Sequence, residues 1–344
     1  MRGRDFGRRH AQQIRRVIER YQALFERVAT RPFDVKALGA RALERTAEFA
    51  GPLHAEMLGI ATGAELAPEL IGALNARTEI LAVLGAPLRG ECSTIVRIDP
   101  FSSAALSVQT WDWFSEFSED WLVWSIPHSD GARTTTVTEF GIVGKIGVNS
   151  RGLGVHFNIL HHRADGHDIG VPVHVLSRHV LDSTGDLPRA LQIIASAAVS
   201  ASSALTLVAA MEGCSVAVSA EVYPGGPGFV FPDATGLLVH TNHFLSAPAR
   251  DKDTEPRAFP DTLVRHDLLT RRFSERVDLT PSNAVALMNS HVGTIGAVCC
   301  HPDPAKTATG QYATLATIIL DVAAGQLQAL PGGPCRHAQR SPHN

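Results

Sequence analysis

Gly90-Glu91-Cys92-Ser93-Thr94 is the stretch on which the reading of this chain turns. A lone cysteine before two hydroxyls is ordinary, and most such thiols are buried packing groups. Its surroundings separate it from that background. Leu74-Asn75-Ala76-Arg77-Thr78-Glu79 lies upstream and Gln109-Thr110-Trp111-Asp112-Trp113 downstream. The residue pattern also changes character at Cys92, from helical before it to strand-rich after it.

Upstream, Ile14, Val17, Ile18, Tyr21, Leu24, Phe25 and Val28 keep the 3/4 spacing of one helical face. Arg15, Arg16, Glu19 and Arg20 fill the other face, and the interspersed acid favours a solvated face over a membrane-binding one. Pro32 and Pro52 bracket a second helix near 34–50 with Asp34 as its cap. Further helices are expected over 52–60 and 68–81.

Downstream, the β-branched and aromatic runs 93–98, 105–113, 121–126 and 134–138 predict strands. Residues 141–149 and 152–160 predict a hairpin turning at Asn149-Ser150-Arg151-Gly152. Helices are expected over 173–182 and 186–200, then strands over 205–210, 215–222 and 237–241. Two helices, 260–277 and 281–290, precede final strands at 294–300 and 313–321 and a short run at 326–330. Hairpins follow hairpins and helices come in pairs, which favours antiparallel sheets over a doubly wound fold. The expected class is α+β, a four-layer αββα sandwich of two antiparallel sheets flanked by helices. Residues 331–344, rich in Pro, His and Arg, read as a flexible tail.

The composition excludes several functions. With 44% hydrophobic and 19% charged residues over 344, the chain is a folded protein with room for a large core. A net charge of −3 argues against nucleic acid as partner. No apolar run reaches the roughly 18–20 residues of a membrane span. No apolar segment follows Met1-Arg2-Gly3-Arg4-Asp5, so no secretory signal is expected and a cytoplasmic location is. Five cysteines, at 92, 214, 299, 300 and 335, are too few and too irregular for a disulfide framework or a zinc module. The expectation is therefore no metal and no cofactor.

Six stretches carry a family resemblance: LNARTE (74–79), ECST (91–94), QTWDW (109–113), EFGIVGKIGVNSRGLGV (139–155), GVPVH (170–174) and VHTNHFL (239–245). In this order they resemble the acyl-coenzyme A:6-aminopenicillanic acid acyltransferase family of N-terminal-nucleophile hydrolases. The resemblance implies autocatalytic cutting between Glu91 and Cys92. A helical fragment 1–91 would stay associated with a catalytic unit 92–330 and its tail 331–344. The physical logic holds independently: a thiol needs a base, and a freed α-amino group on the same residue supplies one with a pKa of about 7.7–8.

By the same resemblance, Asp112 is the aspartate that would hold and tune that amine. Asn242, in His240-Thr241-Asn242-His243, would donate to the oxyanion. Asn158 is either a second oxyanion donor or a core hydrogen bond. Relatives often carry an arginine where this chain has Cys300, so His301 becomes a candidate substrate contact in its place. The rival reading of His240 and His243 as a metal pair is disfavoured by their strand-to-turn spacing. His161, His162 and His167 read as a solvated turn, and Gly141–Gly147 lacks the Walker spacing. The expected substrate is a small acyl-amide, with hydrolysis favoured over transfer and acyl-coenzyme A open as a donor. The alternative is a non-catalytic relative that binds without turnover.

Overall fold

The computed structural model describes residues 1–85, 92–99, 101–102, 104–274, 280–292, 297–307 and 311–338. Among the described residues six helices come first: α1 (Arg2–Arg9), α2 (Ala11–Val28), α3 (Val35–Phe49), α4 (Gly51–Ala64), α5 (Pro68–Asn75) and α6 (Arg77–Val83). Asp34 caps α3 through the amides of Lys36 and Ala37, as its residue type predicts. The single helix expected over 68–81 breaks at Ala76. Gly3 and Gly7 of α1 face Gly59 and Gly63 of α4, and a Cβ on Gly3, Gly7 or Gly63 would strike the facing backbone carbonyl. Small residues thus let these two helices touch backbone to backbone.

The first strands are β1 (Ser93–Ile98), β2 (Ala105–Phe114), β3 (Trp121–Pro127), β4 (Arg133–Glu139), β5 (Ile146–Asn149) and β6 (Leu153–Ile159). Then come α7 (Val173–Ser183), α8 (Leu187–Ala195), β7 (Ser203–Met211), β8 (Cys214–Val222), β9 (Gly228–Val230) and β10 (Leu237–His240). The chain continues through α9 (Ala247–Arg250), α10 (Glu255–Ala258), α11 (Asp261–Ser274), α12 (Pro281–Met288), β11 (Tyr312–Asp321) and β12 (Gln326–Pro331). One sheet runs β10-β1-β2-β11-β12 and the other β3-β4-β5-β6-β7-β8-β9, every pair antiparallel.

The layers follow from what each face buries. Leu269 and Phe273 of α11 and Val285 and Met288 of α12 cover Ile95, Leu106 and Val108 on the outer face of the five-stranded sheet. Helices α7 and α8 cover the seven-stranded sheet. Between the sheets the contacts are partly polar: Thr94 with Asn158, Ser107 with His156, and Gln109 with His156 and Phe157. Each such pair fixes the position of β1 and β2 over β6, since any slip would leave a buried polar group unpaired.

Three expectations need correction. No strand forms at 297–300, the described part of the expected strand 294–300. The chain past Pro331 is packed rather than loose as far as residue 338. Gly332 donates to the Leu315 carbonyl at 2.9 Å, Thr317 donates to the Gly332 carbonyl, and Pro334 is buried in a 3-10 turn; residues 339–344 lie outside the described part. His161 is not a solvated turn residue, because its Nδ1 sits 2.6 Å from Glu255 Oε2.

Buried histidines give the fold an acid limit. Burial holds His156 and His243 down to about 3 and His266 to about 4, against an ordinary value of 6.5. A group with a depressed folded pKa is more easily protonated unfolded, so its contribution is complete above 6.5 and is lost as pH falls. Glu79 and Asp253, raised by burial to about 7 and about 6, act with the opposite sign over part of that range. The melting temperature should fall between pH 6.5 and 4. His156→Gln should flatten the slope by up to about 1.4 kcal/mol per pH unit; an unchanged slope in that variant would contradict the assignment.

Candidate active site

Cys92 stands one residue before β1, in the buried end of the inter-sheet layer. Antiparallel pairing brings Ser93 opposite Thr110, which places Asp112 of β2 beside the cysteine. The thiol Sγ is 3.7 Å from the Asp112 backbone carbonyl. The Cys92 carbonyl accepts from Asn158 Nδ2 at 3.2 Å and from Arg265 Nη1 at 3.0 Å. Asn158 also donates to the His240 carbonyl at 3.4 Å and accepts from Thr94 Oγ1 at 2.7 Å.

Asn242 lies just past β10. Its Nδ2 donates to the Ile159 carbonyl at 2.9 Å and its Oδ1 accepts from Arg265 Nη2 at 3.1 Å. Cys92, Asn158 and Asn242 therefore form one network through Arg265. Neither His240 nor His243 is set up as a metal pair. His240 Nε2 binds Glu221 Oε1 at 2.9 Å, and His243 Nδ1 meets the hydroxyls of Thr241 and Thr262. His301 is exposed and bonds to His291, Cys299 and Cys335, not to Cys92. Cys300 hydrogen-bonds through its backbone to Thr314, the register partner of Asp112. Glu91, the residue before the expected cut, lies outside the described residues.

Burial, with the Asp112 carboxylate close by, pushes the Cys92 thiol up to about 12. The charges of Lys145 and Arg265 oppose that rise only in part. Lys145 precedes β5 and sits 2.8 Å from Glu139 Oε2, its ammonium 3.7 Å above the Trp111 ring. Burial and the charge of Arg77 bring the Lys145 ammonium down to about 7, although Glu139 acts the other way. Burial alone would raise the Glu139 carboxyl, yet Arg77 and Lys145 hold it well below the ordinary carboxylate range.

Lys145 and Arg265 are the site residues that the linear reading missed. Lys145 is one of only four lysines and stands inside the apolar run Gly141–Val148, where a charge needs a buried partner. Arg265 keeps the 3/4 spacing of Thr262, Leu269 and Phe273, the buried face of α11. A charged residue on that face was a legible signal. A large groove opens at the opposite end of β1, walled by Arg97, Leu187, Met211, Phe231 and Ile319. At about 3.3 Å per strand residue, it lies roughly 17 Å from the sulfur and is not the site of this chemistry.

These features define an α+β protein of two stacked antiparallel sheets with a cysteine at the head of a central strand. The model of the family described as acyl-coenzyme A:6-aminopenicillanic acid acyl-transferase matches residues 102–335, and the chain belongs to that family. A curated relative, the 40 kDa form of acyl-coenzyme A:6-aminopenicillanic-acid-acyltransferase from Emericella nidulans, is 32% identical over 213 residues. That match covers 62% of this chain and 57% of the relative, so the chain spans little over half the relative's length. Among solved structures, a Caenorhabditis elegans N-acylethanolamine-hydrolyzing acid amidase ortholog is 12% identical with a TM-score of 0.46, covering 70% of this chain and all of that one. Penicillin V acylase from Agrobacterium tumefaciens is 13% identical with a TM-score of 0.43, covering 70% and 83% of the two chains.

Arg265 ties Cys92, Ser93 and Asn242 together from a helix outside the sheet. Arg265→Met leaves the Cys92 carbonyl and Asn242 Oδ1 without this buried charged donor. We expect about 3 kcal/mol lost in urea unfolding at unchanged m-value. A loss below about 0.5 kcal/mol would remove the arginine from the network.

Proposed function

We propose that the chain is a self-processing cysteine amidohydrolase or acyltransferase that works through an acyl-thioester on Cys92. The observation that carries this reading is the place of Cys92 at the head of β1, with Asp112, Arg265 and Lys145 grouped around it. Held near 12, the thiol of the uncut chain is almost wholly protonated at neutral pH. Cutting the Glu91–Cys92 bond turns an amide nitrogen into an amine on the same residue, and that amine is the missing base.

The amine takes the thiol proton, and the sulfur adds to the carbonyl carbon of a small acyl-amide. Asn242 keeps one of its two amide N–H groups on Ile159 and presents the other to the oxyanion. Both N–H groups of Asn158 go to backbone carbonyls, those of Cys92 and His240. Asn158 is therefore assigned to positioning rather than to the oxyanion. Collapse of the intermediate breaks the C–N bond, the protonated α-amine returns its proton to the leaving amine, and a thioester remains. Water or a second amine, deprotonated by the same base, then releases the acyl group.

Amide hydrolysis is the favoured reaction, with acyl-coenzyme A to amine transfer as the alternative within the same half-reactions. Fragments 1–91 and 92–344 would remain associated through buried pairs that cross the cut, Arg77 with Glu139 and Glu79 Oε1 with the Val173 amide. A thiol nucleophile suits a reducing compartment, which favours the cytoplasm, and the family points to tailoring of specialised metabolites.

Intact mass spectrometry tests the proposal. Purified protein should contain two pieces corresponding to 1–91 and 92–344, and Cys92→Ala should stay whole and inert. Active protein with Cys92 still joined to Glu91 would end the proposal. Feeding an acyl-amide with and without a competing amine, then weighing products, should yield mainly free acid; dominance of the new amide would assign transfer instead.

A further inference from the structure

Four side chains from three separate segments meet away from Cys92. His291 follows α12, Cys299 and His301 lie in the loop before β11, and Cys335 sits in the 3-10 turn after β12. Their ligand atoms all lie within 4.8 Å of one another. His301 Nε2 is 3.0 Å from His291 Nε2, 3.7 Å from Cys299 Sγ and 3.5 Å from Cys335 Sγ.

We propose that these residues form a Cys2His2 site for a structural zinc ion. Zinc bound tetrahedrally by sulfur at about 2.3 Å and nitrogen at about 2.0–2.1 Å requires ligand separations of about 3.3–3.8 Å. Both sulfur–nitrogen separations at His301 fall inside that range and its separation from His291 falls just below it; the other three pairs lie within 4.8 Å, so binding draws the ligands inward by at most about 1 Å. The two imidazoles are nearly parallel, 21° apart, with centroids separated by 5.1 Å. The surroundings are shaped for a sulfur that carries charge. The Cys335 amide donates to Cys299 Sγ at 3.5 Å, an N–H to sulfur bond of the kind that supports metal thiolates. Gly333 lets that sulfur approach, because a Cβ there would lie 2.6 Å from Cys299 Sγ.

Two sulfurs and two imidazoles favour zinc over harder cations. Four protein ligands leave no open position, so the site holds structure and does not bind substrate. On binding, Zn2+ replaces the thiol protons of Cys299 and Cys335, and two protons leave to solvent. The ion would join the loop at 297–301 to the turn at 334–336. Through the Thr314 amide donating to the Cys300 carbonyl, and the Cys300 amide to the Thr314 hydroxyl, it would steady β11 at the residue paired with Asp112. This proposal departs from the expectation of no metal, and it would give His301 a role other than substrate contact.

The test uses the full chain, purified with reductant, stripped with chelator and titrated with Co2+ and then Zn2+. One equivalent of Co2+ should produce thiolate charge-transfer and tetrahedral d–d absorption, and one equivalent of Zn2+ should bleach both. Zn2+ should also raise the melting temperature by several degrees. Cys335→Ser and His291→Ala should each weaken binding by at least ~100-fold, beyond the 10–100-fold typical of losing a supporting group. Cys214→Ser, at a cysteine outside the cluster, should bind as wild type. Circular dichroism of each variant separates a lost ligand from a lost fold, and the wild-type titration stands without any variant. The proposal falls if reduced wild type gives no tetrahedral cobalt spectrum. It also falls if Cys299 and Cys335 prove to be joined as a disulfide, or if a Cys299→Ser/Cys335→Ser protein binds metal equally well.

Discussion

Glu139, at the end of β4, is the group on which the arrangement depends. It is fully buried and accepts from Arg77, Lys145 and the Tyr21 hydroxyl. A lone carboxylate there would cost several kcal/mol in desolvation, and two cations with a phenol offset that cost. Removing any partner would strand the others. The network therefore acts as a registration device between three parts of the chain: the N-terminal helices, the seven-stranded sheet and, through the tryptophans, the five-stranded sheet. The Arg77 guanidinium lies 4.4 Å from the Trp113 ring and the Lys145 ammonium 3.7 Å from that of Trp111. Successive residues of a strand point to opposite faces, so anchoring both indoles on one face of β2 fixes Asp112 on the other.

The same logic extends along the boundary between the first 85 residues and the rest. Arg16 and Arg20 both reach Asp120, and Arg178 of α7 pairs with Glu56 of α4 at 3.1 Å. The Val143 amide donates to Asn75 Oδ1 at 2.9 Å. Such directional contacts specify geometry more than they add net stability, because each charged pair gives up hydration to form. The proposed cut between Glu91 and Cys92 would need an interface that survives the loss of the covalent link, and this one is built into the core rather than laid over it.

Much of the architecture was legible from local pattern. The 3/4 spacing of Ile14 to Val28, the cap at Asp34 and the alternation around the turn at 149–152 all mark elements that form. Those signals are local because capping, turn geometry and one-sided burial are decided within a few residues. The strand expected at 294–300 does not form over its described part, 297–300, for the complementary reason. An apolar run of that length suits a buried loop as well as a strand, and at 297–300 the backbone bonds singly to the Ser290 carbonyl and the Thr314 amide instead of forming a ladder. Asn158 shows the limit at the site: its sequence context allows an oxyanion donor or a core bond, and only its partners distinguish them.

From the sequence alone, then, came the helix-then-strand division at Cys92, the α+β class, the family resemblance and the candidate residues Cys92, Asp112 and Asn242. These rest on short-range patterns and on residue types that carry chemistry wherever they fall. Only the tertiary structure brought Arg265 from α11 onto the Cys92 carbonyl, set Lys145 against Glu139, and gathered His291, Cys299, His301 and Cys335 into one cluster. Their meeting depends on sheet order and helix placement, which join residues tens to hundreds of positions apart. No periodicity along the chain encodes such a distance; burial of the whole core decides it.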